Sequence, residues 1–194
     1  MKGYKSKVRR SFIELWKKGK WFEQYPVVPF SEELLQRLNQ CRMPLYVATN
    51  ILESERRFQL RKTGWTQYIP EENIYGGESK SFPEGEFSKL GVLNKVSREG
   101  DLRPSQVAIL EDSASAIRKA VAAGYIGIGI AHDEESVKRL KDAGAHVVIY
   151  KDFSEFEKII SLLQGTDKDR SNVPIDDNKL YVLEVKKQKM VALN

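Results

Sequence analysis

Apolar positions along this chain come in short blocks separated by longer amphipathic stretches. PLYVA (Pro44 to Ala48), Asn73 to Tyr75, Gln106 to Leu110, Tyr125 to Ile130 and His146 to Tyr150 have the length and β-branched character of buried strands. Between them, apolar residues recur at helical spacing. Ser31 to Gln40 places Leu34, Leu35 and Leu38 on one side, and the charged stretch Glu53 to Lys62 ends before Gly64. Further helices are predicted over Ser88 to Arg98, Ser113 to Ala123 closed by Gly124, Glu134 to Ala143 closed by Gly144, and Ser154 to Leu163. Strands alternating with helices of this length predict an α/β protein whose parallel sheet is covered on both faces. The two glycines of YIGIGI weaken that strand intrinsically and allow a neighbour to approach closely. Gly76 to Glu86 reads as a loop, and Gly165 to Asp177 as a polar linker. Leu180 to Val185 and Met190 to Leu193 read as extended segments, able to form a hairpin or to join the sheet edge.

Composition narrows the picture. With 194 residues, 41% hydrophobic and 30% charged, the chain fits one core with a short appendage. Its single cysteine, Cys41, excludes an internal disulfide framework and reads as a structural residue at a helix end. No apolar run approaches a bilayer span, and the basic start lacks the apolar core and cleavage site of a secretion signal. A cytoplasmic location with no membrane partner is the expectation. The net charge of +5 is concentrated in residues 1–22, where eight Lys/Arg face Glu14 alone and alternate with Phe12, Trp16, Trp21 and Phe22. This pattern favours an amphipathic helix docked by its aromatic side. Lying on an anionic membrane or on nucleic acid is the lesser reading, and no nucleic-acid motif accompanies the charge. The expected divisions are a basic aromatic segment (1–24), an α/β core (25–164), and a linker with an extended tail (165–194).

The candidate chemistry lies at strand ends, where open α/β sheets place their ligands. Thr49-Asn50 follows PLYVA and offers a hydroxyl and backbone N–H groups to phosphate oxygens; the competing reading is that one of them only caps the next helix. A lysine in the Gly76 to Lys89 region would neutralise phosphate charge. Glu111-Asp112, at the tip of AIL, are hard oxygen ligands suited to Mg2+, against a reading as a helix-capping acidic loop. Together they form a phosphoryl site. His132 beside Asp133 reads as a solvent-facing loop histidine, and nothing marks His146 as catalytic. GYIGIGIA lacks the glycine spacing of a dinucleotide fingerprint, and a regulatory receiver domain does not account for EDS followed by AAG.

These segments resemble the haloacid dehalogenase-like hydrolase superfamily, in its branch of small phosphatases and phosphoglucomutase-like enzymes. YPVVPFSEELLQRLNQCRMPLYVATN is similar to the second motif, which implies a phosphate-binding hydroxyl at Thr49 with Asn50 beside it. AILEDSASAIRKAVAAGYIGIGIA is similar to the fourth, the specific part, which implies magnesium ligation by Glu111 and Asp112; Ala116 stands where relatives often have glycine. The third-motif lysine is Lys89 or Lys80. Lys89 fits the approach to the fourth motif and is favoured; Lys80 has the more usual distance from Thr49. The resemblance covers Tyr25 to Leu163. It implies a three-layer Rossmann-like parallel sheet, Mg2+ as cofactor, a small phosphorylated molecule as partner, and phosphoric monoester hydrolysis.

The first motif is the departure. Relatives carry a strand ending in Asp-x-Asp, which supplies nucleophile and general acid/base; no aspartate precedes Tyr25. The only Asp-x-Asp, Asp167 to Asp169, lies in the linker and reads as coincidence, so no catalytic residue is assigned. The first strand of the sheet and a full cap domain are likewise not expected. An emptied central slot would leave backbone groups unpaired unless the sheet closes up; Leu180 to Val185 and a partner chain are candidate fillers. Two functions follow: a Mg2+-dependent monoester hydrolase missing its first motif, or a non-catalytic binding module of the same fold.

Overall fold

The computed structural model describes residues 27–83, 86–164, 180–182 and 192–193. The expected basic helical segment, residues 1–24, and the linker with its Asp167 to Asp169 pair lie outside the described residues, as do residues 183–185 of the extended tail. The elements in chain order begin with α1 (Ser31–Gln40), β1 (Val47–Ala48), α2 (Glu53–Thr63), β2 (Ile74–Tyr75) and α3 (Lys89–Glu99). They continue with β3 (Ala108–Glu111), α4 (Ala114–Ala122), β4 (Ile126–Ala131), α5 (Glu134–Asp142), β5 (Val147–Tyr150), α6 (Phe156–Gln164), β6 (Leu180–Val182) and β7 (Ala192–Leu193). Each strand and helix expected through Leu163 is present. PLYVA contributes only its last two residues to a strand, and single 3-10 turns at Trp65–Gln67, Glu71–Asn73 and Pro104–Gln106 were not foreseen.

The strands form a five-stranded sheet in the order β6-β5-β4-β3-β7 and a two-stranded sheet, β1-β2. All pairings are parallel except β5 with β6. The two sheets form one layer, as the alternation of side chains shows. Val47, Ile74, Leu110, Ile128 and Ile149 point to a core filled from α1 and α6 by Leu34, Leu38, Ile159 and Ile160. Ala48, Tyr75, Ile109 and Val148 point to the opposite core, filled from α3, α4 and α5 by Val92, Leu93, Ile117 and Leu140. This period of two across both sheets gives the helix-sheet-helix sandwich the sequence implied.

The glycines of β4 act as anticipated. A Cβ on Gly127 would sit 2.9 Å from Cγ2 of Val121, and one on Gly129 3.0 Å from Cδ1 of Leu140, so α4 and α5 lie directly on the strand. His146 fastens the next strand on. Its N–H donates to the carbonyl of Gly127 (2.8 Å), and its Nδ1 accepts from the Gly127 N–H (3.1 Å).

Of the candidates for the space beside β3, the described part of Leu180 to Val185 is not the filler; it takes the sheet-edge placement that its sequence also allowed. Leu180–Val182 runs antiparallel along β5 at the far edge of the sheet. Ala192–Leu193 is the segment beside β3, in parallel register with Ala108 and Ile109. Because α6 follows β5 directly, the next strand in sequence meets the open edge of β5 first. Among the described residues, no helix is long and apolar enough to cross a membrane.

Candidate functional site

Where β1 and β3 end, a cavity of about 400 Å3 opens between them. Apolar side chains such as Leu34, Leu38 and Leu60 line it in depth, and Thr49, Arg56, Lys89, Glu111, Asp112 and His132 are the polar groups on its wall. Four sequence-predicted residues, Thr49, Lys89, Glu111 and Asp112, therefore meet in one place. The other two do not. Asn50 and Lys80 are exposed, and neither is among the described residues that line the cavity.

Thr49 is held by backbone on both sides. Its N–H donates to the carbonyl of Tyr75 (2.9 Å), which ties the β1 tip to β2. Its buried Oγ1 accepts from the N–H of Ile51 (3.3 Å) and from Nη2 of Arg56 (3.4 Å). Both bonds use the oxygen as acceptor, so the hydroxyl proton stays available for donation. The capping reading does not hold, because the residue before α2 is Leu52, with no side-chain cap. Glu78 does that work from the following loop, accepting from the N–H of Ser54 (3.3 Å). The loop is pressed onto the helix start, since a Cβ on Gly76 would fall 2.3 Å from the backbone nitrogen of Glu53.

Lys89 is the first residue of α3, behind Ser88, whose Oγ accepts from the N–H of Gly91 (3.0 Å). A cation in the first turn opposes the helix dipole. The compensation is Glu111, whose Oε2 accepts a hydrogen bond from the Lys89 ammonium. The other carboxylate oxygen accepts from the N–H of Ser113 (3.3 Å). Glu111 is only 1% exposed. Burial raises its pKa above the usual carboxylate range, against the pull of Lys89 and the Ser113 N–H and with the push of Asp112. Asp112 is exposed at the mouth, and so is His132.

These carboxylates suit a magnesium ion in kind. Mg2+ takes oxygen ligands, is commonly held by one or two carboxylates, and leaves its remaining positions to water and substrate phosphate. Asp112 is free to serve directly, and each Glu111 oxygen has lone-pair capacity beyond its present bond. Among the described residues, no group of three or more His, Cys, Asp or Glu gathers as a metal site.

Arg56 was not singled out from the sequence, where an arginine inside ESERRFQLRK looks like a solvated helix charge. Its neighbours carry that role: Arg57 pairs with Glu53 (2.6 Å) and Glu71 (3.8 Å), and Arg61 pairs with Glu71. Arg56 turns inward. Burial pushes its guanidinium below its ordinary pKa, and Nε is buried without a hydrogen-bond partner.

No family model and no curated protein matches the chain. Among solved structures, it is similar to the crystal structure of a conserved haloacid dehalogenase-like protein of unknown function from Agrobacterium tumefaciens. The two share 24% identity at a TM-score of 0.59, over 71% of this chain and 61% of that one. The chain spans 61% of the length of that protein, and the likeness is one of architecture. The chain has the haloacid dehalogenase-like α/β fold.

Proposed function

We propose that this chain binds a phosphate monoester together with Mg2+ at the β1–β3 cavity, as a phosphoric monoester hydrolase of haloacid dehalogenase type. The observation that carries the reading is the convergence of a donor hydroxyl (Thr49) and adjacent carboxylates (Glu111, Asp112) at two strand ends with an ammonium (Lys89) at a helix start, all bordering one cavity. Thr49 donates to a phosphate oxygen. Lys89, fixed by Glu111, orients the phosphate electrostatically. Glu111 and Asp112 would hold the magnesium ion, which when bound neutralises phosphate charge and raises the electrophilicity of phosphorus.

A second reading, a binding module without turnover, is favoured by one specific observation: the acidic side chains on the described wall are Glu111 and Asp112, both assigned to the metal.

The test is hydrolysis of an aryl phosphate by the purified 194-residue chain with Mg2+, beside Asp112→Ala, with inorganic phosphate binding followed by calorimetry. Turnover lost in the variant supports the hydrolase. Magnesium-dependent phosphate binding without turnover selects the module. No phosphate binding by a folded protein rejects both.

A further inference from the structure

We propose that Arg56 is the cation that grips the anion in this site, contacting phosphate oxygens beside the Thr49 hydroxyl. The inference rests on the phosphate-binding reading above and assigns the residue that supplies the uncompensated positive charge. Two permanent cations lie on the described wall, Arg56 and Lys89. The charge of Lys89 is already met by Glu111, and Asp112 adds a further negative charge at the mouth. On Lys89 alone, the wall would be net negative and would repel a phosphate dianion unless the metal compensated for everything. Arg56 brings the side chains to neutrality. The two positive charges of Mg2+ then match the two negative charges of a phosphate monoester.

Geometry points the same way. Arg56 and Arg57 are consecutive helical residues and so project about 100° apart. Arg57 faces Glu53 and Glu71, while Arg56 faces the cavity and reaches Thr49 Oγ1 with Nη2 (3.4 Å). That contact is long for a hydrogen bond and engages one of five N–H groups. Nε is buried and unpartnered, as is that of Arg57, but no carboxylate pairs with Arg56 among the described residues, whereas Arg57 meets Glu53 and Glu71. A half-buried guanidinium without an anion is costly, and a planar donor fork beside a hydroxyl suits a tetrahedral oxyanion.

The experiment compares the full chain with Arg56→Gln, Arg56→Lys and Arg56→Met by calorimetric titration of inorganic phosphate with Mg2+ present. Thermal unfolding without phosphate is measured in parallel. Expected are an affinity loss of about 10- to 100-fold in Arg56→Gln, partial recovery in Arg56→Lys, and an unfolding midpoint in Arg56→Met at or above the wild-type value. The last follows because an unpaired, desolvated charge has been removed. Unchanged affinity in Arg56→Gln overturns the inference and leaves the phosphate site standing. A lower midpoint in Arg56→Met makes the residue a structural support and also overturns it. Failure of the wild-type chain itself to bind phosphate rejects the underlying reading, an outcome visible before any variant is compared.

Discussion

Glu111 and Lys89 form the pair on which the site's electrostatics turn. The Glu111 side chain is 2% exposed and that of Lys89 19%, so removing the cation strands a buried carboxylate. Lys89→Met should therefore lower stability by about 3 kcal/mol at neutral pH, measured as a shift in urea midpoint. The sign of the pH dependence follows from a carboxyl whose folded pKa is raised: the penalty is present above that pKa and is relieved as pH falls through it. The deficit of Lys89→Met should thus shrink between pH 7.5 and pH 5. His146 behaves in the opposite way. Burial lowers its pKa, and a ring nitrogen that accepts from Gly127 must be unprotonated. The unfolded chain takes up that proton first, at about pH 6.5, so stability is retained above that pH and lost as pH falls toward the folded value. His146→Gln keeps an acceptor without a titration, and its unfolding midpoint should vary less between pH 7.5 and 5.5. An equal slope in both proteins would remove His146 from the account.

At the scale of elements, close approach sets the geometry. Gly129→Ala puts a methyl 3.0 Å from a side chain of α5 and should cost about 1–3 kcal/mol. Gly76→Ala meets backbone at 2.3 Å and cannot be absorbed by a rotamer change. It should lower stability by about as much or more and also weaken phosphate binding, because the displaced helix start carries Arg56. A Gly76→Ala protein with wild-type affinity would separate the loop from the site. The elements and four site positions were legible in the sequence because their signals are local: apolar runs, N-caps, and polar residues at strand tips. Thr49, Glu111 and Asp112 sit where a strand ends, and Lys89 where a helix begins. Arg56 was not legible. Whether an arginine in a charged helix faces solvent or a cavity depends on which carboxylates its neighbours have taken, and Glu53 and Glu71 engage Arg57 and Arg61. The spacing toward the fourth motif favours Lys89 over Lys80, and it is the Lys89 ammonium that meets Glu111 of β3, while Lys80 is exposed.

The described strands form a sheet layer in two pieces held between common cores, with the cavity at the join. Among the described residues, β7 meets β3 along Ala108 and Ile109, and Glu111 at the β3 tip lines the cavity. The extended tail segments were recognised in sequence, but their pairing was not. Which edge a strand joins depends on partners remote in the chain, and β6 and β7 went to different edges. Truncation after Lys189 should leave the first half of β3 unpaired on one side. Amide exchange along Val107 to Leu110 should accelerate, while amides of α5 keep their protection. Uniform acceleration would instead mean that β7 holds the entire fold together.

The join of β7 to β3 also fixes a schedule. Its partners, Ala108 and Ala192, are separated by three α/β units that pair locally, and loop closure over such a span is slow compared with helix and neighbouring-strand formation. As the polypeptide emerges during synthesis, β3 must wait with one row of amides and carbonyls bare until the last strand arrives. An unpaired parallel edge is a template for other chains. The interval before β7 docks is when this protein is most prone to aggregate, and refolding yield should fall with concentration more steeply than its equilibrium stability would suggest.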